Sequence, residues 1–174
     1  EALLHGSDFA VSPAPPEPGL ATMPLGSIPL TAYVAADHEW ARDGVSELPL
    51  SALCGQHAIL PSHQSVSRYI LDDALNQAHL SFRRVSECDD GQTIMALAAA
   101  GHGIGVTTDL PAYGTHPIRI LAGSNGQQGH ALRLPLHTAW IPGHFAEESI
   151  RAVAVRLRRF LNRQGAIIED ESKV

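Results

Sequence analysis

The residues best suited to binding a ligand lie close together at positions 61–68, which read Pro-Ser-His-Gln-Ser-Val-Ser-Arg. This stretch follows a predicted buried strand and opens a predicted helix, so its backbone N–H groups and the positive end of the helix dipole favour an anion. Serine hydroxyls and a histidine can add hydrogen bonds and a proton-dependent charge. The sequence therefore predicts a ligand site formed by Pro61, Ser62, His63, Ser65 and Ser67. The alternative is that Ser65 caps the helix while the other side chains are solvated.

A second helix is predicted to begin within residues 88–92, and its start carries two carboxylates, Asp89 and Asp90. These carboxylates would satisfy the helix dipole themselves and would repel an anion. An anionic ligand is therefore expected nearer the serine-rich start, with Asp89 or Gln92 contacting a hydroxyl or an amine. Catalysis by Asp89 and Asp90 as a pair is disfavoured, because adjacent residues at a helix start do not face a common point.

Other chemistries lack the residues that they would need. Ten histidines occur without an HExxH motif, without a pair four residues apart and without a cysteine–histidine cluster, so no metal site is predicted. There is no GxSxG motif, and neither Cys54 nor Cys88 has the context of a catalytic nucleophile. The glycines of residues 101–105 follow a helix and precede a strand, which reverses the order of a dinucleotide fingerprint, so no cofactor is predicted either.

The elements that position these residues are organised around residues 86–109. This stretch reads as the end of a strand, a helix with an apolar stripe, a glycine stop at Gly101 and a buried strand at residues 104–107. Alternating helices and strands are typical of an α/β fold, in which ligands bind at the carboxyl ends of the strands. Further strands are predicted at residues 9–11, 24–36, 56–61, 81–88, 118–121 and 132–141, and helices at residues 62–78 and 145–162. The last helix is predicted to bury Ile150, Val153, Ala154, Leu157, Phe160 and Leu161.

The composition restricts the class of protein. The chain has 174 residues, 44% of them hydrophobic and 17% charged, which predicts a globular protein. Its net charge of −6 argues against a nucleic-acid-binding surface, and no apolar run has the length of a membrane span. No signal peptide opens the sequence, and the two widely spaced cysteines are expected to be reduced thiols, so a cytoplasmic location is predicted.

A glycine-framed stretch from Met95 to Val106 reads Met-Ala-Leu-Ala-Ala-Ala-Gly-His-Gly-Ile-Gly-Val. Other motifs occur in a fixed order around it, and together they span most of the chain. They comprise Leu3, Gly6, Asp8, Phe9, Ala10, Val11, Gly19, Leu20, Pro24, Leu25, His38, Leu48, Leu53, Ser67, Arg68, Leu71, Glu87 and Phe145. In order and spacing, these residues resemble the effector-binding domain of LysR-type transcriptional regulators.

The resemblance implies a periplasmic-binding-protein-like (type 2) fold with two α/β lobes and a two-strand crossover. Residues 1–35 and 135–163 would form the first lobe, residues 36–134 the second lobe and residues 164–174 a polar tail. A small metabolite would bind between the lobes, where the resemblance adds Ser12, Glu87 and Cys88 to the expected ligand-binding residues. The family usually has proline where this chain has Thr107-Thr108-Asp109, which changes the polarity of one pocket wall and adds Thr107 to the site.

The function implied by the resemblance is effector sensing in a bacterial transcription regulator, without enzymatic activity. DNA would be bound only through a helix-turn-helix domain outside this sequence, and homo-oligomers are expected. The first strand and helix of the first lobe have no counterpart here, so the first lobe is expected to be incomplete and the chain to be a piece of a longer regulator. Two alternatives stay open: a solute-binding module of the same fold, and an enzyme on the two-lobed scaffold.

Overall fold

The computed structural model describes residues 3, 6–14, 17–123 and 129–163. The predicted polar tail at residues 164–174 lies outside them. Among the helices of the described residues, none is both long enough and apolar enough to span a membrane. The chain divides into two compact units, the first formed by Glu1–Ile28 with Leu134–Val174 and the second by Pro29–Arg133.

Strands and helices alternate along the chain, which confirms the predicted α/β class. The described strands are β1 (Ala10–Ser12), β2 (Ala21–Pro29), β3 (Thr31–Val34), β4 (Glu47–Pro49), β5 (His57–Leu60), β6 (Arg84–Glu87), β7 (Ile104–Thr107), β8 (His116–Ala122), β9 (His130–Ala131) and β10 (Arg133–Trp140). The described helices are α1 (Glu39–Arg42), α2 (Leu50–Leu53), α3 (Val66–Gln77), α4 (Gly91–Ala99) and α5 (Glu147–Arg163).

The second unit is built on a mixed sheet of seven described strands in the order β4-β8-β3-β7-β5-β6, with β9 paired to β8. Strand β5 is parallel to both β6 and β7, and Ala58 pairs with Val85 on one side and Ile104 on the other. The carboxyl ends of β5, β6 and β7 therefore meet at one edge of this sheet. That edge is where an α/β fold binds ligands.

Residues 29–35 belong to the second compact unit, whereas the resemblance implies that they lie in the first lobe. The reason is strand pairing, because β3 lies in the middle of the seven-stranded sheet. Thr31 pairs with Thr107 of β7 on one side and with Arg119 of β8 on the other. An extended, apolar run predicts a strand but carries no information about which sheet the strand will join.

The helices of the second unit follow the predicted apolar patterns. Helix α3 buries Leu71 and Leu75, and α4 buries Ile94, Met95 and Ala98. Gly101 ends α4 with φ of +77°, which confirms the predicted glycine stop. A Cβ added at Gly105 would lie 2.9 Å from Ile94 Cγ2 and 3.2 Å from Ala98 Cβ. The absence of a side chain at Gly105 therefore lets α4 pack directly onto β7.

The first unit contains a sheet of three described strands in the order β1-β10-β2, with Trp140 of β10 fully buried. Strand β2 lies at the edge of this sheet, as Pro24 and Pro29 within it would require. Helix α5 buries Ile150 and Ala154, but Val153 and Phe160 are 45% and 53% exposed, so the predicted stripe is too wide. At about 100° per residue, Val153 and Phe160 lie on the flank of the face that Ile150 and Ala154 define.

Candidate ligand-binding site

A cavity of about 140 Å³ opens in the second unit, where the parallel strands β5 and β7 end. Three segments supply its walls: the turn from β5 into α3, the start of α4, and the residues that follow β7. The lining residues are Pro61, Ser62, Ser65, Ser67, Asp89, Gly91, Ile94, Thr107, Thr108 and Asp109. Its wall is therefore mainly polar, with hydroxyl groups toward α3 and carboxylates toward α4.

The α3 wall begins with Ser65, which occupies the predicted N-cap position with φ of −78° and ψ of 136°. The predicted capping bond is absent, because the Ser65 hydroxyl accepts no hydrogen bond from a backbone N–H of the first turn. It shares a hydrogen bond of 2.6 Å with the hydroxyl of Ser67, which is only 7% exposed. The Ser65 N–H donates to the carbonyl of Ser62 at 3.0 Å, which closes the turn. The positive end of α3 thus reaches the cavity without a side-chain cap from Ser65.

The α4 wall already holds carboxylates of the protein. Asp90 caps α4, since it accepts hydrogen bonds from the Thr93 N–H at 2.8 Å and the Thr93 hydroxyl at 2.6 Å. Asp109 approaches the same helix start so closely that a Cβ at Gly91 would lie 1.6 Å from its Oδ2. The prediction that this helix start would satisfy its dipole with carboxylates is therefore correct, but the second carboxylate is Asp109.

Asp109 is held in this position from two sides. The Thr107 hydroxyl donates to Asp109 Oδ2 at 3.2 Å, and the Asp109 N–H donates back to Thr107 Oγ1 at 3.3 Å. The hydroxyl of Tyr33, a side chain only 2% exposed, donates to the Asp109 carbonyl at 2.6 Å. Burial raises the pKa of the Tyr33 hydroxyl above its usual value.

Arg68 fastens the α3 wall to the strand beside it. Its side chain is almost fully buried, and its Nε donates to Asp72 Oδ1 at 2.9 Å. Its Nη1 donates to the Pro61 carbonyl at 3.0 Å and to Glu87 Oε1 at 2.9 Å. Its Nη2 lies 3.0 Å from Nε2 of His63. The guanidinium therefore joins the turn after β5, the first turns of α3 and the end of β6.

His63 lies at the exposed edge of this network and not in the cavity wall. Its Nδ1 is 3.4 Å from Asp72 Oδ2, and its Nε2 is 3.0 Å from Glu87 Oε1. A neutral ring can accept from Arg68 through Nε2, whereas a protonated ring donates to both carboxylates. His63 and Glu87 are thus engaged with each other and with Arg68, next to the cavity.

The structure places the predicted site residues in three groups. Those that line the cavity are Pro61, Ser62, Ser65, Ser67, Asp89 and Thr107. His63 and Glu87 form the adjacent ion network, and the Cys88 thiol donates to the Asp90 carbonyl at 3.6 Å. Ser12 belongs to the first unit, where its hydroxyl accepts from the Ala14 N–H at 3.1 Å. A role in ligand binding stays a prediction for each of these residues.

Sequence reasoning missed Gly91, Ile94, Thr108 and Asp109 as lining residues, and it gave Arg68 no role. The unusual Thr107-Thr108-Asp109 at the end of a parallel strand was the available signal for Asp109. For Arg68, the signal was an acidic residue four positions later, Asp72, which suits an ion pair on one helix face.

The possible metal ligands of the chain include the thiols of Cys54 and Cys88. Among the described residues, no group of three or more histidine, cysteine, aspartate or glutamate side chains could hold a metal ion. Both cysteines are free, and burial raises the pKa of the Cys54 thiol, whose Sγ donates to the Leu50 carbonyl at 3.5 Å. The side chains of Cys54 and Cys88 are half-buried, and the expectation that both thiols are reduced stays a prediction.

The cap of α4 should make stability depend on pH. The Thr93 hydroxyl and N–H hold the pKa of Asp90 below its usual value. A lowered folded-state pKa gives a stabilisation that is present above the unfolded value of about 3.9 and is lost as the pH falls through the folded value. Asp90→Asn keeps a good N-cap without the titration. We expect wild type to lose thermal stability relative to Asp90→Asn as the pH falls below about 4. A difference that stays constant across this range, measured by thermal unfolding, would contradict the assignment.

Parallel strands that end at a polar cavity, with one helix start open toward it, define a ligand-binding α/β protein. The family model for the LysR substrate binding domain matches residues 1–162, and the chain belongs to this family. No curated protein sequence matches the chain. Its fold is the periplasmic-binding-protein-like (type 2) fold, as the resemblance implied.

Solved structures of similar fold include three ligand complexes. The BenM effector binding domain with its effector benzoate has a TM-score of 0.73 and 18% identity, over 99% of this chain and 78% of that chain. The effector binding domain of QuiR with shikimate has a TM-score of 0.69 and 18% identity, over 91% and 76%. The regulatory domain of Synechocystis PCC6803 CcmR with 2-PG has a TM-score of 0.70 and 18% identity, over 91% and 77%.

Proposed function

We propose that this chain is the effector-sensing domain of a bacterial LysR-type transcriptional regulator and that it binds a small organic anion in the cavity of the second unit. The observation that carries the proposal is the serine-rich start of α3, which faces a cavity at the carboxyl ends of parallel strands. Uncapped N–H groups, the helix dipole and serine hydroxyls suit a carboxylate or phosphate. Benzoate and shikimate, which BenM and QuiR bind, are both carboxylates.

The effector would act by shifting a conformational equilibrium. It must bind one arrangement of the domain more tightly than another, because equal affinity for both would change nothing. We propose that the two compact units are the two lobes of the family. DNA would be read by a separate helix-turn-helix domain of a cytoplasmic homo-oligomer, and no covalent chemistry is involved. Support for the last point is that the thiols of Cys54 and Cys88 both donate to backbone carbonyls.

The proposal is tested by thermal unfolding of the chain in the presence of aromatic and aliphatic acids. A ligand that binds only the folded state raises the unfolding midpoint in a concentration-dependent way. Replacement of Ser62 and Ser65 by alanine should weaken binding of any hit by at least about tenfold, since each lost hydrogen bond contributes about 1 kcal/mol. The matched control is the double alanine variant of Ser51 and Ser81, which are exposed and outside the cavity. If both double variants lost the same amount of binding affinity, the result would argue against a ligand site at Ser62 and Ser65.

A further inference from the structure

We infer that the effector carries a single acid group, which lies toward α3, and a hydroxyl or ammonium donor, which lies toward Asp109. Asp109 is then the specificity-determining residue, because its carboxylate excludes a second acid group from the cavity. This inference rests on the proposed function and narrows its ligand class from organic anions in general to small hydroxy or amino acids.

The first argument is the charge of the cavity wall. Asp89 and Asp109 both line the cavity, and no lysine, arginine or histidine is among the described lining residues. The guanidinium of Arg68, which bonds to the lining residue Pro61 through its carbonyl, also donates to the carboxylates of Asp72 and Glu87. A ligand with acid groups at both ends would therefore meet uncompensated carboxylates at one of them, whereas a donor there would be stabilised.

The second argument is that hydrogen bonds hold Asp109 in the cavity wall. Its carboxylate accepts from the Thr107 hydroxyl and its carbonyl from the buried Tyr33 hydroxyl. It also fills the space beside Gly91, where an acid group of a ligand would otherwise meet the start of α4. The protein thus supplies its own anion to one helix start and leaves the other, at Ser65, without a side-chain cap.

The third argument is size. The cavity volume is about 140 Å³, below the roughly 300–1,000 Å³ of pockets that take drug-sized ligands. It therefore suits a small organic acid. Unbranched acids of four carbon atoms are the appropriate probes, because they differ from one another only in the group at the far end of the chain.

The test is isothermal titration calorimetry of the full chain with four probes of equal chain length: butanoate, 4-hydroxybutanoate, 4-aminobutanoate and succinate. We expect wild type to bind the hydroxy or the amino acid at least about tenfold more tightly than succinate, which corresponds to about 1.4 kcal/mol. Asp109→Asn keeps an acceptor for the Thr107 hydroxyl. In this variant, the ratio of the affinity for the hydroxy or amino acid to the affinity for succinate should fall to about twofold or invert. Gly91→Ala, whose Cβ must displace the carboxylate without removing it, should lower the ratio as well.

The matched control is Asp73→Asn, which changes the net charge equally outside the cavity, where Asp73 accepts from the Gln77 amide. It should leave the ratio as in wild type. Tight binding of succinate to wild type, or an unchanged ratio in Asp109→Asn, overturns this inference and leaves the proposed function standing. A failure of all four probes to bind wild type and both cavity variants overturns this inference alone, because the proposed function also admits larger acids and fails only if no acid of the wider panel raises the unfolding midpoint.

Discussion

Arg68→Met is expected to lower the free energy of unfolding by about 3 kcal/mol. The substitution keeps much of the volume of the buried side chain but removes the donors to Asp72, Glu87 and the Pro61 carbonyl. Breaking a fully buried ion pair costs about 3–5 kcal/mol. The lower end applies here, because the Asp72 and Glu87 side chains are 33% and 42% exposed and water can partly replace the guanidinium.

The matched control is Arg119→Met. Arg119 also pairs with a glutamate, Glu47, but the two side chains are 51% and 43% exposed. The loss of such a surface pair is expected to cost less than about 1 kcal/mol. Urea unfolding of both variants measures the contrast, with an unchanged m-value as evidence that the same surface is exposed on unfolding. Equal costs for the two variants would show that Arg68 is not the structural centre of its network.

Arg68→Met should also weaken ligand binding in the cavity. Arg68 holds the carbonyl of Pro61 and the end of β6, so its removal frees the turn that carries Ser62 and Ser65. We expect Arg68→Lys to retain only part of the wild-type free energy of unfolding. The ammonium keeps the positive charge but cannot reproduce the planar set of bonds to several acceptors. Any acid found to bind the wild-type cavity should bind Arg68→Met more weakly even where the variant is fully folded.

Much of this architecture follows from local sequence. The run before Pro61 is apolar and short, the helix after it has a periodic apolar face, and Gly101 ends α4 with a positive φ. These signals depend on residues within a few positions of each other. They suffice to place the serine-rich turn at the carboxyl end of a buried strand, and therefore to find one wall of the cavity.

The other wall could not be predicted in the same way. Asp109 faces Gly91 because α4 packs onto β7, with the start of α4 beside the residues that follow β7, and no pattern within either segment fixes that contact. The burial of Arg68 likewise depends on Glu87, which is distant in sequence and arrives with β6. Val153 and Phe160 are an error of the opposite kind. Their helical spacing predicts that they are buried, but they lie beside the buried face of α5 and are exposed.

Gly103→Ala is expected to lower the free energy of unfolding by about 3 kcal/mol, the upper end of the range for overpacking. A Cβ at Gly103 would lie 2.5 Å from the backbone oxygen of His57 and 3.3 Å from its carbonyl carbon. Relief would require movement of backbone, since His57 begins β5 and pairs with Arg84 of β6. The His57 ring also holds the turn, because its Nδ1 lies 2.8 Å from the His102 carbonyl oxygen.

Gly55→Ala makes the same chemical change where a Cβ would meet nothing within 4 Å and where φ is not positive. It is expected to be neutral or to stabilise by up to about 1 kcal/mol, because alanine restricts the unfolded chain. The contrast between the two glycines, measured by urea unfolding, isolates the close approach of the turn before β7 to β5. That approach sets the register of β7 against β5 and hence the position of Thr107 and Asp109 beside the serine wall. If Gly103→Ala were as stable as Gly55→Ala, β7 would have to tolerate a shift, and the tight contact between Asp109 and Gly91 could not be a fixed feature of the site.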